Sequence, residues 1–266
     1  MKKSLRFDEL LEAVPDPTAA LLTRIARVAA RENQALYLVG GPIRDLLLGR
    51  PLVDVDLMLE GDAKVLADAV VAEEHAVGLR VVEYPRFGTV RVEAAEAAID
   101  LARLRAESYA QPGALPDVRP GTLEQDVARR DFAINALVCR LDASRPDKAN
   151  EIIDLCDGLD DLAARRLRVL HPRSFHDDPS RAWRAARFAT RLGFSLDRRS
   201  RNALRDALRD GAFGAVSGER FRRELILTFE EAERGAHPGR ILRLLSDWHV
   251  LAALEPGLGV GRDRMA

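Results

Sequence analysis

The sequence predicts an α+β head followed by an all-α extension, with the boundary near residue 150. Three observations carry this. Segments rich in β-branched residues, partly alternating, recur between residues 35 and 103. Helical apolar spacing punctuates them at 17–32 and 62–75. Beyond Gly158 the chain reads as helices alone. A chain of 266 residues can bury two cores, taken here as a head domain over 1–150 and a helical domain over 151–266.

Each element follows from its own residues. Leu21, Leu22, Ile25 and Val28 share one face of a helix over 17–32, and strands follow at 35–39 and 53–59. Val65, Leu66, Ala69 and Val70 space a helix over 62–75. Strands come next at 79–84, 87–93 and 97–103. Pro112, Gly113, Pro116, Pro120 and Gly121 mark 106–121 as a loop, expected to be mobile. Thr122-Leu123-Glu124-Gln125 is a capping box that opens a helix expected to run to Leu141. After Glu151 to Gly158 come the helices, and residues 257–266 hold too little apolar content to pack. That end is expected to fray or to mark a cut in a longer chain.

Composition narrows the class. The first ten residues are too charged for a signal peptide, and no stretch approaches a membrane span. Cys139 and Cys156 form no C-x-x-C, which points to a reducing, cytoplasmic setting without structural zinc. The five histidines, at 75, 171, 176, 237 and 249, lack metal-ligand spacing. The net charge of −1 hides an asymmetry: residues 165–223 hold 16 Arg against 6 Asp or Glu, a local balance of +10. Such a segment fits a polyanionic partner.

Two stretches belong together. Leu38-Val39-Gly40-Gly41-Pro42-Ile43-Arg44-Asp45 reads as a strand ending in a glycine pair that opens a short helix, stopped by Gly49. Asp54-Val55-Asp56 places two carboxylates on one face of a strand, with Val53, Val55, Leu57 and Leu59 on the buried face. Two anions that close call for a cation, and their oxygens suit Mg²⁺, which takes one or two carboxylates plus substrate phosphates. Beside a helix start whose N–H groups attract phosphate, the pair is a candidate site for metal-assisted phosphoryl or nucleotidyl transfer.

Other residues add to this set. Asp100, opposite in facing to Ile99 and Leu101, is a candidate third carboxylate or base, or a solvent-facing strand residue. Arg129 and Arg130 sit in Arg129-Arg130-Asp131-Phe132-Ala133-Ile134-Asn135-Ala136, expected within the Thr122 helix, and can grip a triphosphate bidentately. Asn135, amid apolar neighbours, needs hydrogen-bond partners. His176-Asp177-Asp178-Pro179-Ser180-Arg181 reads as a helix start with Asp178 as N-cap. Arg184, Arg187 and Arg191 then fall within about 60° of one another, a basic stripe with no acid inside it.

Together these segments, with Asp154-Leu155-Cys156-Asp157-Gly158, resemble the class II tRNA nucleotidyltransferase and bacterial poly(A) polymerase family of the polymerase-β-like superfamily. The resemblance covers about residues 35–230. It implies a catalytic head with a mixed sheet, a helical neck, and further helical domains that grip tRNA; this length leaves little room for the latter. It implies Mg²⁺ on Asp54 and Asp56. It also implies a nucleotide pocket of Gly40, Gly41, Arg44, Arg130, Asp178, Arg181, Arg184 and Arg187. The implied reaction adds C, A or both from CTP and ATP to a tRNA 3′ end without a nucleic-acid template. A poly(A) polymerase and a catalytically idle RNA-binding relative are the alternatives. Pro42, Ala133, Asp177 and Ala182-Trp183 depart from the family pattern and bear on substrate choice.

Overall fold

The computed structural model describes residues 2–52, 54–73, 78–109 and 116–260. It resolves into two compact units. One comprises Met1–Glu107, Val118–Arg130 and Ile134–Leu159; the other comprises Ser108–Asp117, Asp131–Ala133 and Asp160–Ala266.

The first unit runs β1 (Ser4–Leu5), α1 (Phe7–Glu12), α2 (Asp16–Arg31), β2 (Leu36–Val39), α3 (Gly41–Leu47), β3 (Asp56–Leu59) and α4 (Ala63–Val71). Then come β4 (Arg80–Tyr84), β5 (Thr89–Glu93), β6 (Ala98–Arg103), β7 (Arg105–Ser108), β8 (Asp117–Pro120) and α5 (Leu123–Ala128). β9 (Val138–Leu141) and β10 (Asn150–Ile153) complete it. Eight strands form one mixed sheet in the order β1-β10-β9-β2-β3-β6-β5-β4. β3 and β6 are parallel, and the other pairs antiparallel.

Alternation divides the sheet. Leu36, Leu38, Leu57, Leu59, Ile99 and Leu101 join Leu22, Ile25, Leu66 and Val70 of α2 and α4 in one buried core. Their neighbours along the strands therefore point the other way. Asp56 and Asp100 are register partners across β3 and β6, and Arg91 is the partner of Asp100 across β5. Those three charged groups thus share the face turned away from the core.

Several expectations need correction. β1 and α1 lie before the first expected helix. β3 begins at Asp56, so Asp54 precedes the strand, although Val55, Leu57 and Leu59 are buried as expected. Val53, His75, Pro112, Gly113 and 261–266 lie outside the described residues. The segment read as a loop at 106–121 instead contributes β7 and β8, a separate two-stranded ribbon.

The Thr122 capping box is present: its hydroxyl accepts from the Gln125 N–H at 3.3 Å, and Gln125 Oε1 accepts from the Thr122 N–H at 3.0 Å. The helix ends at Ala128, not Leu141, and Ala133–Asn135 is a single 3₁₀ turn. The reason is tertiary. Val138 and Cys139 are needed between β2 and β10, where Leu38 pairs with Cys139, and sheet pairing overrides the helical preference of the segment.

The third segment of the second unit, from Asp160, begins within α6 (Gly158–Ala163). It continues with β11 (Arg166–Leu167), α7 (Ser174–Asp177), α8 (Arg181–Leu192), β12 (Ser195–Leu196), α9 (Arg198–Arg209), α10 (Gly218–Glu230), α11 (Pro238–Asp247) and α12 (Val250–Leu254). The all-helical expectation misses the short parallel pair β11–β12. Trp183, fully buried on α8, packs on Phe213 and Phe221, with ring centroids 6.5 and 6.0 Å away.

Gly121 joins β8 to α5 under close constraint. A Cβ there would lie 2.5 Å from the Ala106 backbone N and 2.7 Å from the Arg105 carbonyl carbon. Gly121→Ala should therefore destabilise the protein by about 1–3 kcal/mol in chemical unfolding. Gly214→Ala, which faces open space, should stay within about 0.5 kcal/mol; equal effects would remove the backbone-crowding account.

Candidate active site

Gly40 starts the head's site because no other residue fits there. Its φ is +72°, and a Cβ would come 3.0 Å from the Asn135 carbonyl oxygen and 3.2 Å from Arg130 Nη1. Conformation and crowding both demand glycine. α3 follows at Gly41 and stops as expected, with Gly49 at φ +63° and the Arg50 N–H donating to the Asp45 carbonyl at 2.9 Å.

Arg44 is 3% exposed, so its charge needs partners. Its Nε and Nη2 donate to the Asp45 carboxylate at 2.9 and 2.8 Å, and its Nη1 donates to Asn135 Oδ1. Asn135 thereby gains one of the partners its apolar surroundings demand. The expectation that it lies within a helix fails, because it ends the 3₁₀ turn.

Arg130 is set by a carboxylate the sequence reading passed over. Asp126 is 0% exposed and accepts from Arg130 Nη2 at 2.9 Å, Arg129 Nη2 at 2.7 Å and the Arg105 N–H at 3.2 Å. Burial pushes the Asp126 carboxyl up, but the Arg130 and Arg129 guanidiniums overcome it and hold the group below the usual carboxylate range. Arg130 Nη2 also reaches Met58 Sδ at 3.0 Å. Met58 follows Asp56 by two residues, so the Arg130 guanidinium stands on the carboxylate face, about 7 Å along the strand.

Asp54 and Asp56 are exposed. Asp100 commits both oxygens to Arg91, at 2.8 Å each. Among the described residues no group of three His, Cys, Asp or Glu side chains is arranged to hold a metal ion. Two hard carboxylates still fit Mg²⁺, whose remaining positions go to substrate phosphates and water.

The helical unit holds the other expected residues. Asp178 caps α7 rather than α8, whose N-cap is Ser180; its Oδ1 accepts from the Ser180 N–H at 3.0 Å and the Ser180 hydroxyl at 2.6 Å. Arg181, 5% exposed, donates to Ser174 Oγ. The basic stripe is neutralised from other elements. Arg184 pairs with Asp131 at 2.6 Å, Arg187 with Glu224, and Arg191 with Glu231 at 3.3 Å. Arg184 and Arg191 also flank the Phe188 ring, 5.7 and 5.1 Å from its centroid. Asp126 was findable, at i+3 and i+4 before Arg129 and Arg130; Glu224 and Glu231 carry no local signal.

Residues 36–168, half of the chain, match the family described as Poly A polymerase head domain. The chain belongs to the class II tRNA nucleotidyltransferase and poly(A) polymerase family. It is 36% identical to the A-adding tRNA nucleotidyltransferase of Geobacter sulfurreducens, across 92% of this chain and 27% of that protein. It is 39% identical to the CC-adding tRNA nucleotidyltransferase of Deinococcus radiodurans, across 90% of this chain and 60% of that one. A solved tRNA nucleotidyltransferase complexed with a primer tRNA and an incoming ATP analog superposes with a TM-score of 0.73 at 32% identity, over 89% of this chain and 64% of that one. The chain thus spans 27% and 60% of the length of these two curated relatives. A mixed-sheet head followed by a helical region matches the architecture of solved CCA-adding enzymes.

Asp126→Asn should cost about 3 kcal/mol near neutral pH, because it leaves two guanidiniums without their buried partner. Since the folded carboxyl is held below its ordinary value, its contribution is present above the unfolded pKa of about 4 and is lost as pH falls through the folded value. Unfolding measured against pH should show the deficit narrowing below about pH 4; a deficit constant down to pH 2 would contradict the ion-pair origin.

Proposed function

We propose that this chain adds C, A or both to the 3′ end of tRNA, taking them from CTP or ATP and releasing pyrophosphate. The observation that carries the reading is the exposed pair Asp54 and Asp56, with Asp56 on the sheet face that also holds the Arg130 guanidinium, itself beside Gly40. The names of the relatives support the substrate class: one adds A, another CC, each to tRNA.

The 3′-hydroxyl oxygen attacks the α-phosphorus, the α–β phosphoanhydride bond breaks, and pyrophosphate leaves. Asp54 and Asp56 would hold Mg²⁺, which when bound supplies charge to activate the hydroxyl and to stabilise the departing oxygen. Gly40, Gly41, Arg44 and Arg130 serve the triphosphate. Asp100 acts as a third carboxylate backed by Arg91 rather than as a free base. In the helical unit, Asp178 and Arg181 read the base, with Arg184 and Arg187 supporting them. Cytosine and adenine carry an exocyclic amine on the pairing edge where uracil and guanine carry a carbonyl. A carboxylate accepts from the amine, and a guanidinium donates to the adjacent ring acceptor. The residues 1–150 act as the catalytic head and 151–266 as neck and partial body. A cytoplasmic setting suits a tRNA substrate, and among the described residues no helix is long and apolar enough to cross a membrane.

The test is single-nucleotide extension, with Mg²⁺, of tRNA ending before the terminal triplet, after C, or after C-C. Growth with CTP, ATP or both, and none with UTP or GTP, is the expected result. Long A tails would instead identify a poly(A) polymerase. Asp54→Ala and Asp56→Ala should each cut incorporation by at least about a thousandfold, the scale of the largest electrostatic contributions. Both are exposed, so the thermal midpoint should hold; retained incorporation would remove the metal assignment.

A further inference from the structure

The inference rests on the proposed base-reading role of Asp178, whose carboxylate is anchored from a second helix. Arg220, in the first turn of α10, is 42 residues away in sequence and outside every motif that marked the family. Its Nη2 donates to Asp178 Oδ1 at 2.6 Å and to Ser180 Oγ at 3.3 Å. With the Ser180 N–H and hydroxyl, at 3.0 and 2.6 Å, three donors converge on Oδ1. Among the described residues no hydrogen bond reaches Oδ2. Arg220 is itself fixed by its helix: its N–H donates to Ser217 Oγ, the N-cap of α10, at 3.3 Å.

We propose that Arg220 is a specificity-determining positioning residue that locks the Asp178 carboxylate in one rotamer. It does so by occupying Oδ1 and leaving Oδ2 as the single aimed acceptor. An unanchored carboxylate turns about χ2 and presents either oxygen over a range of directions. It can then draw away from an approaching carbonyl and tolerate uracil or guanine. A fixed Oδ2 must meet that carbonyl lone pair to lone pair, which is the repulsive half of selection. Ser180 alone holds the carboxylate from its own turn. Arg220 adds an anchor from a separate helix and a charge-assisted bond.

The experiment is equilibrium binding of CTP, ATP, UTP and GTP, with Mg²⁺, to the whole chain and to Arg220→Gln, Arg220→Lys and Asp178→Ala. Arg220→Gln should lower the preference for CTP or ATP over UTP and GTP by about tenfold, the scale of one charged hydrogen bond. Arg220→Lys, which keeps a cation near Oδ1, should recover part of the preference. A uniform weakening of all four nucleotides by Arg220→Gln, with the preference intact, would make Arg220 merely structural and overturn the proposal. If Asp178→Ala also leaves the preference intact, the base-reading premise itself fails. The two failures are therefore distinguishable, and Arg220→Lys gives a folded comparison should the Gln variant be unstable.

Discussion

A carboxylate with no solvent exposure has to be held by charge, and Asp126 is held by Arg129 and Arg130. Much of the head follows from that one requirement. The two guanidiniums, just past the end of α5, turn back onto Asp126 within it, and α5 ends within three residues of that carboxylate. The chain beyond is then free to make a 3₁₀ turn and enter the sheet as β9. The same interaction sets the Arg130 guanidinium against Met58 and beside Gly40, on the face that carries Asp56. The Arg130 guanidinium is thus fixed by packing and ion pairing rather than by loop conformation.

The helical unit repeats the device with different partners. Arg187 is 6% exposed and pairs with Glu224; Arg191 meets Glu231; Arg184 meets Asp131. Planar guanidinium groups suit such sites because several donors are fixed at once. Arginines that would repel along α8 become cross-links between elements. The proposed base-reading pair sits within this network, with Asp178 anchored by Ser180 and Arg220 and Arg181 anchored by Ser174.

The strands from 35 to 103, the helices at 17–32 and 62–75, and the glycine-paired turn were legible because their signals are local. Leu38 and Leu57, or Ile99 and Leu101, declare a buried face by alternation alone. The Thr122 capping box marked where α5 begins, but its end depends on β9 finding a place between β2 and β10, which no window of sequence contains. The Asn135 side chain announced a need for a partner without naming one; Arg44 lies 91 residues away. The partners of the positive charge on α8 were hidden for the same reason, since Glu224 and Glu231 lie 37 and 40 residues from Arg187 and Arg191. Local periodicity sees faces and caps; it does not see which charge meets which.

In the proposed reaction, protein side chains recognise the exocyclic amine of the incoming base. The most direct measurement compares binding of the preferred nucleotide, CTP or ATP, with its analogue carrying hydrogen in place of that amine. A site built to accept this hydrogen bond should bind the analogue at least about tenfold more weakly, because a buried acceptor is left unpaired. Equal affinity for the two would contradict the claim.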